Sequence, residues 1–337
     1  MRKHIALTAI AAMTLVSCQQ QEMITEDASS QQIMATIDTP ADSRTAVDGA
    51  GVQGGYVAIH WSEKDQLGVF EEAGTTQKCY TNTNSGTSAA ASFRATDPFK
   101  QPKYAYYPYS ASNDGNSVKD LSGTVPDIQY MDEGKLSGDY KYGTYKESTS
   151  TGHSFSFTHI FSVGSMKVDA SGTPLQNDKL KSIKITAKRS GNAVAIAGDF
   201  TFNAKTGAWS QSSNTKNSIT LEWTKNQPYL DEVVTSHVCL FPNVNTGDTF
   251  EVEVATDHYT AKFSAASKVD FASKYYNFPL TLKSFDNLVV TDSEGKEVTL
   301  TSGNFTCAAM NVDGLPTIIQ SGGPGGDGTT AIGNAIN

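Results

Sequence analysis

Beyond the N-terminal apolar stretch the histidines are His60, His153, His159, His237 and His258. Imidazoles could ligate a metal or move protons. A zinc hydrolase would place two of them four apart around a glutamate, and that spacing does not occur. No other pair stands at a metal-ligand interval. His159 lies on the apolar parity of an alternating run, where a hydrogen-bonded core histidine belongs. There is no Gly-x-Ser-x-Gly elbow, and the late glycine run lacks the Gly-Lys-Ser/Thr of a phosphate loop. A calcium-loop pattern and a Cys-x-x-Cys pair are also missing. These patterns call for no metal, no cofactor and no catalysis. Two other features could carry chemistry. Ser43-Arg44-Thr45 offers a trypsin-like cleavage point in a loop, or a solvated loop arginine. Tyr104, Tyr106, Tyr107 and Tyr109 could form a contact surface for protein or glycan, or fill the space between two sheets.

The N-terminus bears Arg2 and Lys3, then an apolar stretch from Ile5 to Val16. A basic start, a short apolar run and small residues make residues 1–17 a secretory signal peptide. A membrane span needs roughly 20 apolar residues, so this run is too short. Leu15-Val16-Ser17-Cys18 resembles the lipobox of bacterial lipoproteins, in which the cysteine is acylated and becomes the mature N-terminus. By that resemblance Cys18 is the lipidation site, and the protein is held at the outer membrane by lipid, surface-exposed, without a transmembrane helix. Residues 18–30 are polar and read as a flexible tether.

The chain of 337 residues has a formal charge of -9; without the two leader cations the remainder carries -11. An acidic chain without basic stripes argues against nucleic acid as a partner. Apart from Cys18, the cysteines are Cys79, Cys239 and Cys307, an odd set that allows at most one disulfide.

The elements that would position these residues are strands. Ile33, Ala35 and Ile37 alternate with polar neighbours and predict a half-buried strand. Val57, Ile59 and Trp61 share a face, and Leu67 to Phe70 follows. Residues 73–90 read as a loop or ragged hairpin, and 110–153 as a long surface excursion with one short strand near Tyr140 to Tyr145. Phe155, Phe157, His159, Phe161 and Val163 share one parity, which passes to Met166 and Val168 after Gly164-Ser165. That flip predicts a β-bulge. Further strands are predicted around Ile183, Val194, Phe200, Ile219, Val238, Phe250, Tyr259 and Tyr276. No helical periodicity appears before residue 284. The class is all-β, with sandwiches over residues 31–150 and 151–283 and a hairpin over 284–302.

In order and spacing, several pieces together resemble the fimbrillin family. They are the Leu15 to Cys18 lipobox, Ser43-Arg44-Thr45, Ile59-His60-Trp61, Asp65 to Phe70, Tyr104 to Tyr109, Phe157 to Ser162 and Tyr275 to Leu280. The resemblance implies two tandem transthyretin-like β-sandwich domains and a pilus subunit or adhesin-type surface protein without catalysis. It also implies cleavage at Arg44, loss of the strand Ile33 to Ile37, and filling of the opened groove by β-strand addition from another subunit. Host protein or glycan would be the other partners.

Residues 303–337 depart from that pattern. Phe305 to Pro316 resembles the first strand of the endonuclease/exonuclease/phosphatase superfamily, with Asn311 at the position beside a catalytic Mg²⁺. By that resemblance the segment reads as the truncated start of a further domain, and the protein as the N-terminal module of a secreted phosphodiesterase. No complete metal site can be assembled from Asn311 alone. A glycan-binding β-sandwich is the third reading.

Overall fold

The computed structural model describes residues 32–37, 46–47, 59–88, 90–132, 136–149, 152–272 and 275–298. Cys18, Arg44, Cys307, Asn311 and the whole of 303–337 lie outside them.

The first half comprises β1 (Ile33–Ile37), β2 (Ala46–Val47), β3 (Ile59–His60), β4 (Gln66–Phe70), β5 (Gln77–Asn82) and β6 (Ala90–Arg94). It continues through β7 (Tyr104–Tyr107), β8 (Leu121–Val125), β9 (Ile128–Tyr130), β10 (Lys141–Thr149) and β11 (Gly152–His159). Seven of these close a barrel in the order β1-β11-β10-β7-β4-β5-β6. The residues 73–90, expected to be a loop or ragged hairpin, thus supply β5 and the first residue of β6. Closure leaves this sheet no free edge.

The second half holds β12 (Ser162–Asp169), β13 (Leu180–Arg189), β14 (Asn192–Ala193), β15 (Ala197–Phe202), β16 (Trp209–Lys216) and β17 (Ser218–Glu222). It ends with β18 (Val234–Leu240), β19 (Thr249–Thr256), β20 (Tyr259–Ala266), β21 (Tyr275–Thr281) and β22 (Val289–Asp292). They form a sheet β18-β12-β21, a larger sheet β22-β20-β19-β13-β17-β9, and a small sheet β16-β15-β8. The all-β class expected from the sequence is observed. In β19, Phe250, Val252 and Val254 are buried and Glu251 is exposed, so alternation alone fixes which face packs inward.

Two expectations are corrected. The strand around Phe157 carries no bulge at Gly164-Ser165. β11 ends at His159, β12 begins at Ser162, and β12 pairs with β18 in unbroken register from Ser162↔Leu240 to Val168↔Val234. β12 is the middle strand of its sheet, and Val163, Gly164, Ser165 and Met166 are all buried. Burial on both faces mimicked a change of parity. The stretch 110–153 is likewise more than a surface excursion. β8 pairs with β15, β9 pairs with β17, and Val118, Leu121 and Val125 are core residues. The sheets therefore interleave across residue 150, and the β10–β11 pair spans that point.

Two cores result, sharing one wall. Leu67, Val69 and Ala105 point into the barrel with Trp61, Phe93, Phe155 and Phe157. Phe70 and Tyr106, on the opposite parity of β4 and β7, join the core of the second half. Tyr106 meets Phe202 edge-on at 5.5 Å, and Tyr140 meets Phe200 at 4.8 Å.

Candidate functional site

The strand β1 is the barrel's closing stave. It runs antiparallel to β6, from Ile33↔Phe93 to Thr36↔Ala90, and parallel to β11, from Ile33↔His153 to Ile37↔Phe157. Ile33 and Ala35 are fully buried, and Thr36 is exposed. Burying the Ile33 side chain contributes about 2–3 kcal/mol. The floor beneath is aromatic. Trp61 packs edge-on against Phe93, Phe157 and Tyr107, with centroids 5.1, 5.3 and 5.4 Å away. Its indole N–H donates to the Ala35 carbonyl at 3.0 Å. One indole thus organises the core and holds the middle of β1. At the strand's start Arg94 Nη2 donates to Gln32 Oε1 at 2.8 Å, and His153 N–H donates to the Gln32 carbonyl at 2.8 Å.

A row of polar groups lies beside this floor. Tyr107, Lys141 and His159 are cross-strand neighbours on β7, β10 and β11. Lys141 is fully buried and ion-paired with Asp139; its ammonium lies 4.8 Å from the Tyr107 ring centroid and 5.7 Å from that of Trp61. His159 Nδ1 is 2.5 Å from Asp139 Oδ1. Burial alone would raise the Asp139 carboxyl, but the charges of His159 and Lys141 and their hydrogen bonds outweigh it and hold it down at about 2. Burial lowers His159. A hydrogen bond donated by Nδ1–H to the carboxylate accounts for the geometry. Tyr107 Oη donates to Asp65 Oδ1 at 3.3 Å, and burial pushes its phenol well up. Among the described residues no group of three or more His, Cys, Asp or Glu side chains could hold a metal.

The tyrosines do not form one outward surface. Tyr106 is fully buried, its ring lying over Gly68, where an added Cβ would come within 2.0 Å of it, and its hydroxyl donates to Gln77 Oε1 at 2.6 Å. A surface-contact role is therefore corrected to packing at this position. Tyr107 is spent on Trp61 and Asp65. Tyr104 and Tyr109 are half-buried, and Tyr104 donates to Glu72 at 2.8 Å under the ammonium of Lys205 at 4.2 Å. His159 is hydrogen-bonded, as expected. Lys141 was missed, because a lysine in Lys141-Tyr142-Gly143 reads as solvent-facing. The available signal was Asp139, two residues earlier and so on the same side of an extended chain.

Comparison with known proteins places this architecture. The sequence model of the fimbrillin-like family matches residues 45–302. No curated protein sequence matches the chain. Among solved structures, a candidate cell adhesion protein from Bacteroides ovatus is similar at 16% identity and a TM-score of 0.48, covering 80% of this chain and 97% of that one. A second, from Bacteroides uniformis, shows 18% identity and a TM-score of 0.45 over 69% of this chain and 91% of its own. A fimbrial assembly protein from Parabacteroides distasonis shows 13% identity and a TM-score of 0.34 over 80% and 97%. With the family match extending over most of its length, the chain belongs to the fimbrillin-like family.

Proposed function

We propose that the protein is a non-catalytic structural subunit of a fimbrial assembly at the cell surface, held at the outer membrane by lipid on Cys18 and matured by cleavage at Arg44. Family membership supports the surface location and the contact with other fimbrial subunits. The observation that carries the reading is the placement of β1. It is the stave that closes the barrel, bonded on both sides, and Arg44 lies seven residues after its last residue, Ile37, in sequence. Cutting there leaves β1 joined to the barrel only by noncovalent contacts. Its departure would unpair β6 and β11 and uncover Phe93, Phe155 and Trp61. An open edge of that kind takes up a new strand.

The test is limited trypsin digestion of the chain and of an Arg44→Ala variant, followed by native mass spectrometry. Cleaved wild type should lose the β1 fragment. It should then associate with itself or take up a synthetic peptide of residues 31–38, while Arg44→Ala stays monomeric. A cleaved protein that remains monomeric and takes up no peptide would sink the reading.

A further inference from the structure

A groove of about 880 Å³ lies away from β1, lined among others by Arg189, Asn192, Trp209, Ser210, Gln211 and Asn243. One wall is the β13–β14 hairpin. Its two-residue turn, Ser190-Gly191, has positive φ at both positions, 48° and 84°. That is the twist-matched turn for a tight hairpin, and it costs strain at Ser190 that glycine avoids. The other wall is β16, the edge strand of its sheet. We propose that this groove is a binding site for neutral oligosaccharide.

The floor is Trp209. It packs on Phe241 at 4.9 Å and meets Phe161 edge-on at 5.0 Å, so its ring is held from behind by the core, while the residue remains half-exposed. Among the described residues its indole N–H has no partner. A fixed, half-exposed indole is an apolar platform with a polar handle, which suits the C–H face and hydroxyl rim of a pyranose. Side-chain amides flank it. Asn243 Nδ2 donates to the Ala195 carbonyl at 2.9 Å and to Gln211 Oε1 at 2.8 Å. Those bonds fix both amides and leave Gln211 Nε2 and Asn243 Oδ1 as an adjacent donor and acceptor. Vicinal sugar hydroxyls both donate and accept, so they match such a pair.

Charge decides the class of sugar. Arg189 is the groove's cation, and its Nε and Nη2 each donate to Asp248 at 2.8 Å. Its Nη2 also donates to the Asn243 carbonyl at 3.0 Å. The guanidinium is therefore neutralised by a buried carboxylate and serves as a strut for the Asn243 loop. That favours uncharged saccharides over sialylated or sulfated ones.

The chain supplies its own probe. Of its three tryptophans, Trp61 and Trp223 are buried, and Trp209 is the one open to a quencher. Acrylamide quenching of the full chain would be titrated with maltotetraose, cellotetraose, mannotriose and N-acetyllactosamine. At least one should protect Trp209 saturably, and the exposed-site variants Gln211→Ala and Asn192→Ala should each weaken that protection by about two- to tenfold at unchanged melting temperature. Protection by none of the four overturns the proposal. So does protection that both variants leave intact, a response confined to sialyllactose, or quenching that changes with protein concentration alone, which would mark the groove as a contact between copies.

Discussion

At the scale of the residue, two buried polar sites show opposite solutions to the same cost. Lys141 carries a full charge at zero exposure, and the Asp139 carboxylate and two aromatic rings compensate it. His237 has no such help. It stands across the ladder from Ser165, and neither His237 Nε2 nor Ser165 Oγ has a hydrogen-bond partner. Burial, reinforced by the Lys167 charge, lowers the imidazole from 6.5 to about 4. The folded state therefore keeps His237 neutral where the unfolded chain would protonate it. Its contribution to stability is intact above about pH 6.5 and falls as pH drops through the window to about 4, with a slope of roughly 1.4 kcal/mol per pH unit. The substitution His237→Phe should flatten the acid limb of a urea-stability profile by about that slope between pH 6 and 4.5. An unchanged limb would show that the imidazole is hydrated in the folded protein.

At the scale of the element, Gln129 joins two sheets that have no ladder between them. It sits on β9, an edge strand of the six-membered path, and is fully buried. Its Nε2 donates to the Cys239 carbonyl at 2.7 Å and its Oε1 accepts from the Cys239 N–H at 3.0 Å. One side chain thus occupies the place of a neighbouring strand on the open side of β18. Gln129→Leu keeps the bulk and leaves both Cys239 groups buried without partners, at about 1–3 kcal/mol each. Chemical denaturation should show a loss of roughly 2–6 kcal/mol; a loss below about 1 kcal/mol would mean that water replaces the amide. The same strand shows why part of the fold was hidden in the sequence. Long alternating strands such as β19 and β20 were legible because their parity repeats over eight residues each. In β9 the pattern is inverted: Ile128 and Tyr130 are exposed and Gln129 is buried. A three-residue strand whose polar member faces inward reads as loop. The groove at Trp209 was hidden for another reason. Its residues come from β13, β14, β16 and the loop after β18, and no local spacing links them.

At the scale of the molecule, the barrel and the second half are joined through the shared wall of β4, β7 and β10. On its outer parity Phe70 and Tyr106 are core residues of the other half, with Tyr104 and Tyr142 packed against that core, so the packing of the two halves is linked. Trp61 reports on the barrel core and Trp223 on the second core. Urea unfolding followed through each tryptophan separately, with the other two replaced by phenylalanine, should give coincident midpoints. Tyr106→Ala should cost about 3–5 kcal/mol and move both midpoints together. Separate midpoints in the parent protein would show that the wall does not couple the cores.

The mixed pairing of β1 bears on direction of travel along any chain of subunits. With β6 antiparallel and β11 parallel, an occupant laid in backwards would meet β6 parallel and β11 antiparallel. The backbone slot thus offers the same kind of ladder, one of each sense, to either orientation. Polarity must be read from side chains. The inward row is Ile33, Ala35 and Ile37, large-small-large in either sense, and its two ends differ only in depth: Ile33 is fully buried and Ile37 partly so. The difference in depth between the two end sockets, and not hydrogen bonding, would then decide which end of the incoming strand leads.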